Sequence, residues 1–177
     1  MTAANRAGMG RLWAGWRSDY IAGIAHGEDG CLFCTLLAGD DEESLILERG
    51  PLSFTVLNAF PYTSGHLMVA PVRHESELNG LSADEGTAMF AGLQRATRAL
   101  SGVSHPDGFN VGANLGREAG AGVPGHLHFH VVPRWSGDTN FMTALAEVRV
   151  IPEDLKTTWK KLRSAWPADA PAPPGPA

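Results

Sequence analysis

The chain has 177 residues, 44% of them apolar and 19% charged, enough for one hydrophobic core without staples. Its formal net charge of -5 argues against a protein built to coat nucleic acid, and no stretch approaches the roughly eighteen apolar residues of a membrane span. Residues 1–10 are small and polar and lack the apolar stretch of a secretion signal, so one cytoplasmic domain is expected.

Residues 1–11 read as a flexible leader, after which Leu12, Trp13, Trp16, Tyr20 and Ile21 need a surface on the domain or on a partner subunit. A loop through His26 and Gly30 leads to Cys31-Leu32-Phe33-Cys34. Two cysteines this close gain little by closing a structural disulfide, so metal binding or redox chemistry is the expectation. A short helix is predicted over 34–38, ended by Gly39 and the acidic run 40–43. Three strands follow at 44–47, 54–57 and 66–70, separated by Gly50-Pro51 and Pro61-Tyr62-Thr63-Ser64-Gly65, and they suit an antiparallel meander.

Ser82 and Glu85 fit a capping box, and Met89, Phe90, Leu93, Ala96, Thr97 and Leu100 continue at helical spacing, which predicts a helix over 83–100. A strand at 109–114 then runs through the glycine-rich residues 116–125 into the segment Gly125-His126-Leu127-His128-Phe129-His130-Val131-Val132, the pair forming a hairpin with a long turn. The last helix is predicted to begin at 151–154, with Leu155, Trp159, Leu162 and Trp166 on one stripe, and to stop at Pro167. The Ala- and Pro-rich residues 167–177 read as a disordered tail. Together these elements predict a single α+β domain over 12–166. Its antiparallel sheet has about five strands, with the long helix and the C-terminal helix on one face and the histidines lining the exposed face.

His126, His128 and His130 alternate with Leu127, Phe129 and Val131, the period-two pattern that sends three imidazoles to one side of a strand. Such a row forfeits hydrophobic burial and demands partners, so a purely structural role is disfavoured. Histidine can be both nucleophile and proton donor near neutral pH, and phosphorus is a fitting electrophile: attack on a phosphoanhydride gives a labile phosphoramidate while a second imidazole protonates the leaving oxygen. Upstream glycines, Gly120 and Gly122 among them, would let backbone N–H groups approach phosphate, although a flexible hairpin turn has the same composition.

The segment from His126 to Val132 resembles the His-φ-His-φ-His-φ-φ signature of the histidine-triad (HIT) family, φ being apolar. The likeness extends through Leu12-Trp13, residues 31–34, Val56-Leu57-Asn58, residues 64–69, Pro71-Val72-Arg73-His74 and residues 114–117 to residues 137–142, where it is similar to bacterial diadenosine polyphosphate hydrolases and phosphorylases. This resemblance implies that His128 is the nucleophile, that His130 assists at the α-phosphate and leaving oxygen, and that His126 keeps the constellation in order. It places Asn58 at ribose hydroxyls, Asn114 at phosphate, and Phe33 and Leu57 beside the base. A structural zinc held by Cys31, Cys34, His74 and His126, and a homodimer, are further implications. The expected substrate is a dinucleoside polyphosphate. Adenosine phosphoramidate hydrolysis, diadenosine tetraphosphate phosphorolysis and a zinc-stabilised nucleotide-binding protein without catalysis are the alternatives, and the intact triad argues against the last.

One departure from the family pattern stands out: where many members carry Gln followed by Ser or Thr, residues 121–125 are Ala-Gly-Val-Pro-Gly and offer phosphate no side-chain donor. The choice between water and phosphate as acceptor is left open. His66 is expected to pack or bond to backbone beneath the site, His26 and His105 to lie solvated in loops, and Trp135 to stack on a base or plug a dimer groove.

Overall fold

The computed structural model describes residues 30–138 and 153–167. The predicted leader, the aromatic segment 12–21, residues 139–142 of the family likeness, the first two residues of the predicted last helix and residues 168–177 lie outside them. In chain order the elements are α1 (Leu32–Ala38), β1 (Ile46–Arg49), β2 (Ser53–Leu57), β3 (Leu67–Pro71), a 3-10 turn (Leu78–Gly80), α2 (Ala83–Ser104), β4 (Gly108–Gly112), β5 (Phe129–Arg134) and α3 (Leu155–Ser164). The strands form one antiparallel sheet in the order β1-β2-β3-β5-β4. The predicted meander is therefore β1 to β3, and the predicted hairpin is β4 with β5, Gly112 facing His130.

α2 starts where the capping box places it: Ser82 Oγ accepts from Glu85 N–H at 3.2 Å and Glu85 Oε2 accepts from Ser82 N–H at 2.8 Å. Its apolar stripe of Met89, Leu93, Ala96, Ala99 and Leu100 packs on Leu47, Leu57, Leu67, Val69 and Val131 from the sheet. Gly92 permits this approach, since a Cβ there would lie 2.9 Å from Val69 Cγ1. α3, capped by Asp154, adds Trp159 and Leu162 to the same core. It also covers the β1 edge, with Trp159 Nε1 donating to the Ile46 carbonyl at 2.9 Å and Arg163 donating to that of Leu47.

Three details differ from the sequence reading. β1 begins at Ile46 rather than 44, because residues 41–45 form a turn in which Ser44 N–H donates to Asp40 O and Leu45 takes a left-handed φ of 58°. The long and C-terminal helices share one face as expected, but the short α1 lies on the opposite side, where Phe33 joins Ile46, Phe54, Val56, Met68 and Ala70 in a second buried cluster. Finally, β5 starts at Phe129, so His126 and His128 precede the ladder. Continuing the β3–β5 register would set Leu127 opposite Pro71, which has no N–H for the Leu127 carbonyl and whose own carbonyl accepts from His126 Nε2; Leu127 N–H donates instead to the Glu75 carbonyl at 2.6 Å. Among the described residues no helix is long and apolar enough to cross a membrane.

Candidate active site and metal cluster

The face of the sheet away from α2 carries the histidines. His130 sits directly across from Met68 and Val56 in turn faces Met68, so these side chains share one side, while Phe129 and Val131 pack toward α2. His128 and His130 rings meet edge-to-face, centroids 4.9 Å apart at 80°. The single-sided row is as expected, but its exposure is not: His126 and His128 are 1% and 5% exposed. α1 covers them, its Phe33 ring lying 5.2 Å from His126 and 4.9 Å from His128.

Hydrogen bonds assign the protons. His128 Nδ1 lies 2.8 Å from the His126 carbonyl, an acceptor only, so Nδ1 carries hydrogen and Nε2 keeps its lone pair. Burial pushes the His128 pKa below the ordinary histidine value, against the smaller opposing effect of that carbonyl bond. At the other end, His66 Nδ1 accepts from Tyr62 N–H at 3.1 Å and faces Asn58 Nδ2 at 3.3 Å, two donors that leave its proton on Nε2. That Nε2 lies 3.0 Å from His130 Nδ1, which then acts as acceptor and leaves hydrogen on His130 Nε2. Neighbouring imidazoles thus hold opposite tautomers: His128 with a lone pair at Nε2, His130 with an N–H there.

His66 packs and bonds to backbone as expected, through Tyr62 N–H, but it is also bonded to the triad itself, which the sequence reading did not anticipate. Two positions before Met68, it shares the histidine face by the period of a strand, a signal present in the sequence. Tyr62 stacks on His130 at 5.9 Å and leans on His66 at 4.5 Å with the rings tilted by 45°. Neither role followed from composition.

The other expected contacts are distributed unevenly. Asn58 is buried, Oδ1 accepting from Phe60 N–H at 2.9 Å while Nδ2 meets His66. Asn114 donates to the Gly120 carbonyl at 3.3 Å, which ties down the glycine-rich loop where Gly120 adopts φ 91°. Gly122 lies in the same loop, half-buried beside the buried Ala121. Asn114 and His130 both line an open cavity of about 1030 Å³, with Tyr62, Thr63, Ser64 and Gly112. Leu57 corrects the sequence reading: it belongs to the α2-side core, and the apolar neighbours on the histidine face are Val56 and Met68. Phe33 is fully buried against His126, His128 and Phe54.

Cys31, Cys34, His74 and His126 converge, with one ligand atom from each lying within 4.8 Å of all the others. Cys31 Sγ is 3.1 Å from His126 Nδ1, and Cys34 Sγ is 3.4 Å from His74 Nδ1. His126 Nε2 donates to the Pro71 carbonyl at 2.9 Å, so Nδ1 faces the thiols with its lone pair. Two sulfurs and two imidazole nitrogens at this spacing suit a four-coordinate metal ion. Burial and the neighbouring Cys31 push the Cys34 thiol above its ordinary value, a preference for the protonated form that a bound cation reverses. Arg73 braces the adjoining segment, meeting Glu85 Oε1 at 2.8 Å, Glu75 Oε2 at 2.9 Å and the Gly80 carbonyl at 2.8 Å.

Comparison with known proteins agrees with this geometry. The HIT domain model matches residues 40–137. An AP-4-A phosphorylase of Mycobacterium tuberculosis is 43% identical over 163 residues, covering 88% of this chain and 84% of its own length. An adenosine 5'-monophosphoramidase of Schizosaccharomyces pombe is 27% identical over 76% of this chain and 96% of its own. Among solved structures, a zinc-bound histidine triad family protein from Mycobacterium smegmatis superposes with a TM-score of 0.63 at 30% identity, covering 77% of this chain and 92% of that one.

Proposed function

The chain belongs to the HIT domain family, and on that premise we propose how its histidines work. It is a nucleotidyl hydrolase or transferase acting on adenine nucleotides. The substrate we assign is a diadenosine polyphosphate, in line with the 43% identical phosphorylase.

In the proposed reaction, His128 Nε2 attacks the α-phosphorus, a P–N bond forms as the bond to the leaving oxygen breaks, and His130 Nε2–H donates a hydrogen bond to that oxygen as it departs as an anion. Water or phosphate then takes the nucleotidyl group from His128 as the P–N bond breaks, and any proton on the acceptor is released to solvent. From diadenosine tetraphosphate the first step releases ATP; water as acceptor yields AMP and phosphate yields ADP. The observation that carries this reading is the hydrogen-bond pattern, His128 Nδ1 on the His126 carbonyl and His130 Nδ1 on His66 Nε2, which gives rings 4.9 Å apart opposite tautomers. Asn114 and the backbone N–H groups around Gly120 and Gly122 would hold the phosphates, and Asn58, once reoriented, the ribose. Val56 takes the place beside the base that the sequence reading gave to Leu57.

The metal we assign is zinc, held by Cys31, Cys34, His74 and His126, where it would supply structural cross-linking rather than Lewis-acid chemistry, all four positions being filled by protein. A homodimer is favoured by the outer edge of β4, which pairs with no further strand among the described residues, and by the exposed Val111 on it and Leu115 just beyond it, 48% and 49% exposed. Reduced, unpaired cysteines fit a cytoplasmic setting.

The test is incubation with diadenosine tetraphosphate, with and without phosphate, beside adenosine phosphoramidate. ATP with AMP establishes hydrolysis, ATP with phosphate-dependent ADP establishes phosphorolysis, and turnover of the phosphoramidate alone would replace the assigned substrate.

A further inference from the structure

We infer that the metal cluster is a positioning device for the nucleophile, acting on His128 through Phe33 and through the main chain of His126. The inference rests on the reading of His128 as nucleophile.

Two paths connect the cluster to that ring. The first is packing. Phe33 stands between the two cysteines in sequence, and its ring leans on His128 at 4.9 Å and 39° and on His126 at 5.2 Å, with Phe54 of β2 behind it at 6.2 Å. α1 has only seven residues and no side-chain cap at Cys31, so its first turn has little stability of its own. Its far end is clamped by Arg49, which donates to the carbonyls of Leu37 at 2.6 Å and Gly39 at 2.9 Å. By contrast, the polar ties from residues 31–35 to other elements, among the described residues, are the sulfur contacts to His126 and His74. An ion bridging these four groups would therefore fix the end of α1 that carries Phe33.

The second path is a hydrogen bond. His126 is held at its ring by the thiols on one nitrogen and by the Pro71 carbonyl on the other, and its own carbonyl accepts from His128 Nδ1. That last bond decides which nitrogen of His128 keeps a lone pair. Freeing the His126 ring on the cluster side loosens the peptide whose carbonyl orients the nucleophile. No metal contact with the nucleotide is required, and the effect falls on the rate of transfer rather than on nucleotide binding.

The experiment compares full-length protein purified without chelator, the same protein stripped by a chelator and then reloaded with zinc, and the variants Phe33→Ala and Phe33→Leu. The readouts are zinc content, circular dichroism, AMP affinity, kcat and KM for diadenosine tetraphosphate, and the imidazole N–H resonance of His128. We expect stripped protein to keep its fold and bind AMP within about twofold, to lose about 10²-fold in kcat, the scale of an ångström of misplacement, and to show a broadened His128 N–H signal. Zinc should restore both. Phe33→Ala should retain zinc yet lower kcat at unchanged KM, and Phe33→Leu should recover most of the loss. The inference is overturned if stripped protein turns over at the original rate, if stripping unfolds the whole domain, or if Phe33→Ala raises KM alone, which would assign the ring to the base. Failure of the underlying reading looks different: zinc-loaded protein lacks turnover altogether, or His128→Ala retains it.

Discussion

At one end of the histidine row, His126 is fixed by two thiols and the Pro71 carbonyl; at the other, His130 is fixed by a second imidazole, His66. The His66 end is assembled wholly from the chain, through Tyr62 N–H and Asn58. The His126 end is completed by a ligand set that a metal ion would close. His128 stands between them and takes its orientation from the His126 side. On the proposed roles, the hydrogen-bond donor to the leaving oxygen is preset by folding, whereas alignment of the nucleophile would depend on what the cluster holds.

Substitutions can break this contrast by degree. His128→Ala should abolish turnover while leaving nucleotide affinity largely intact, since the lost atom is the one that bonds to phosphorus; steady-state assay and AMP titration check it. His130→Ala should cost less, about 10²- to 10³-fold in kcat, the range for a single lost oxyanion donor. His66→Ala acts at one remove from phosphorus, through the groups His66 holds, His130, Asn58 and Tyr62, and should cost about 10²-fold or less. A drop as large as that of His128→Ala would instead place His66 in direct contact with the substrate.

pH sharpens the comparison. Because burial lowers the His128 pKa, its nucleophilic form persists below the ordinary histidine range, and the acid limb of the kcat profile should lie there. The sign for stability follows: in that window the unfolded chain binds a proton at this position that the folded chain does not, so stability falls as pH falls. An acid limb at or above the ordinary histidine value would mean that His128 is not shielded. The smallest effect is expected farthest from the chemistry. Ser82→Ala removes one side of the capping box and should cost about 1 kcal/mol in denaturant unfolding, with kcat unchanged.

Much of this molecule is legible in its sequence, for identifiable reasons. Alternation of His126, His128 and His130 with apolar residues reports a strand face directly, and the Ser82–Glu85 box with its apolar stripe reports α2. Local periodicity cannot tell which side of the sheet a helix takes, and nothing in the short helix's own residues announces that Phe33 packs on the histidine side. A one-residue error in face likewise exchanged Leu57 for Val56, because every residue of β2 is buried and the strand shows no polar alternation. The cluster unites residues 31, 34, 74 and 126, a set that spacing alone does not define and that came from family likeness. His66 carried a readable signal in its position relative to Met68, but its bond to His130 depends on how β3 and β5 pair.

The most direct measurement of the central claim is rapid quenching of the enzyme during turnover of diadenosine tetraphosphate labelled at the α-phosphorus, followed by peptide mapping. An adenylyl group on the nitrogen of His128, formed and consumed at the rate of turnover, is the predicted result. Label on another residue, or a burst of product with no protein-bound nucleotide, would contradict it.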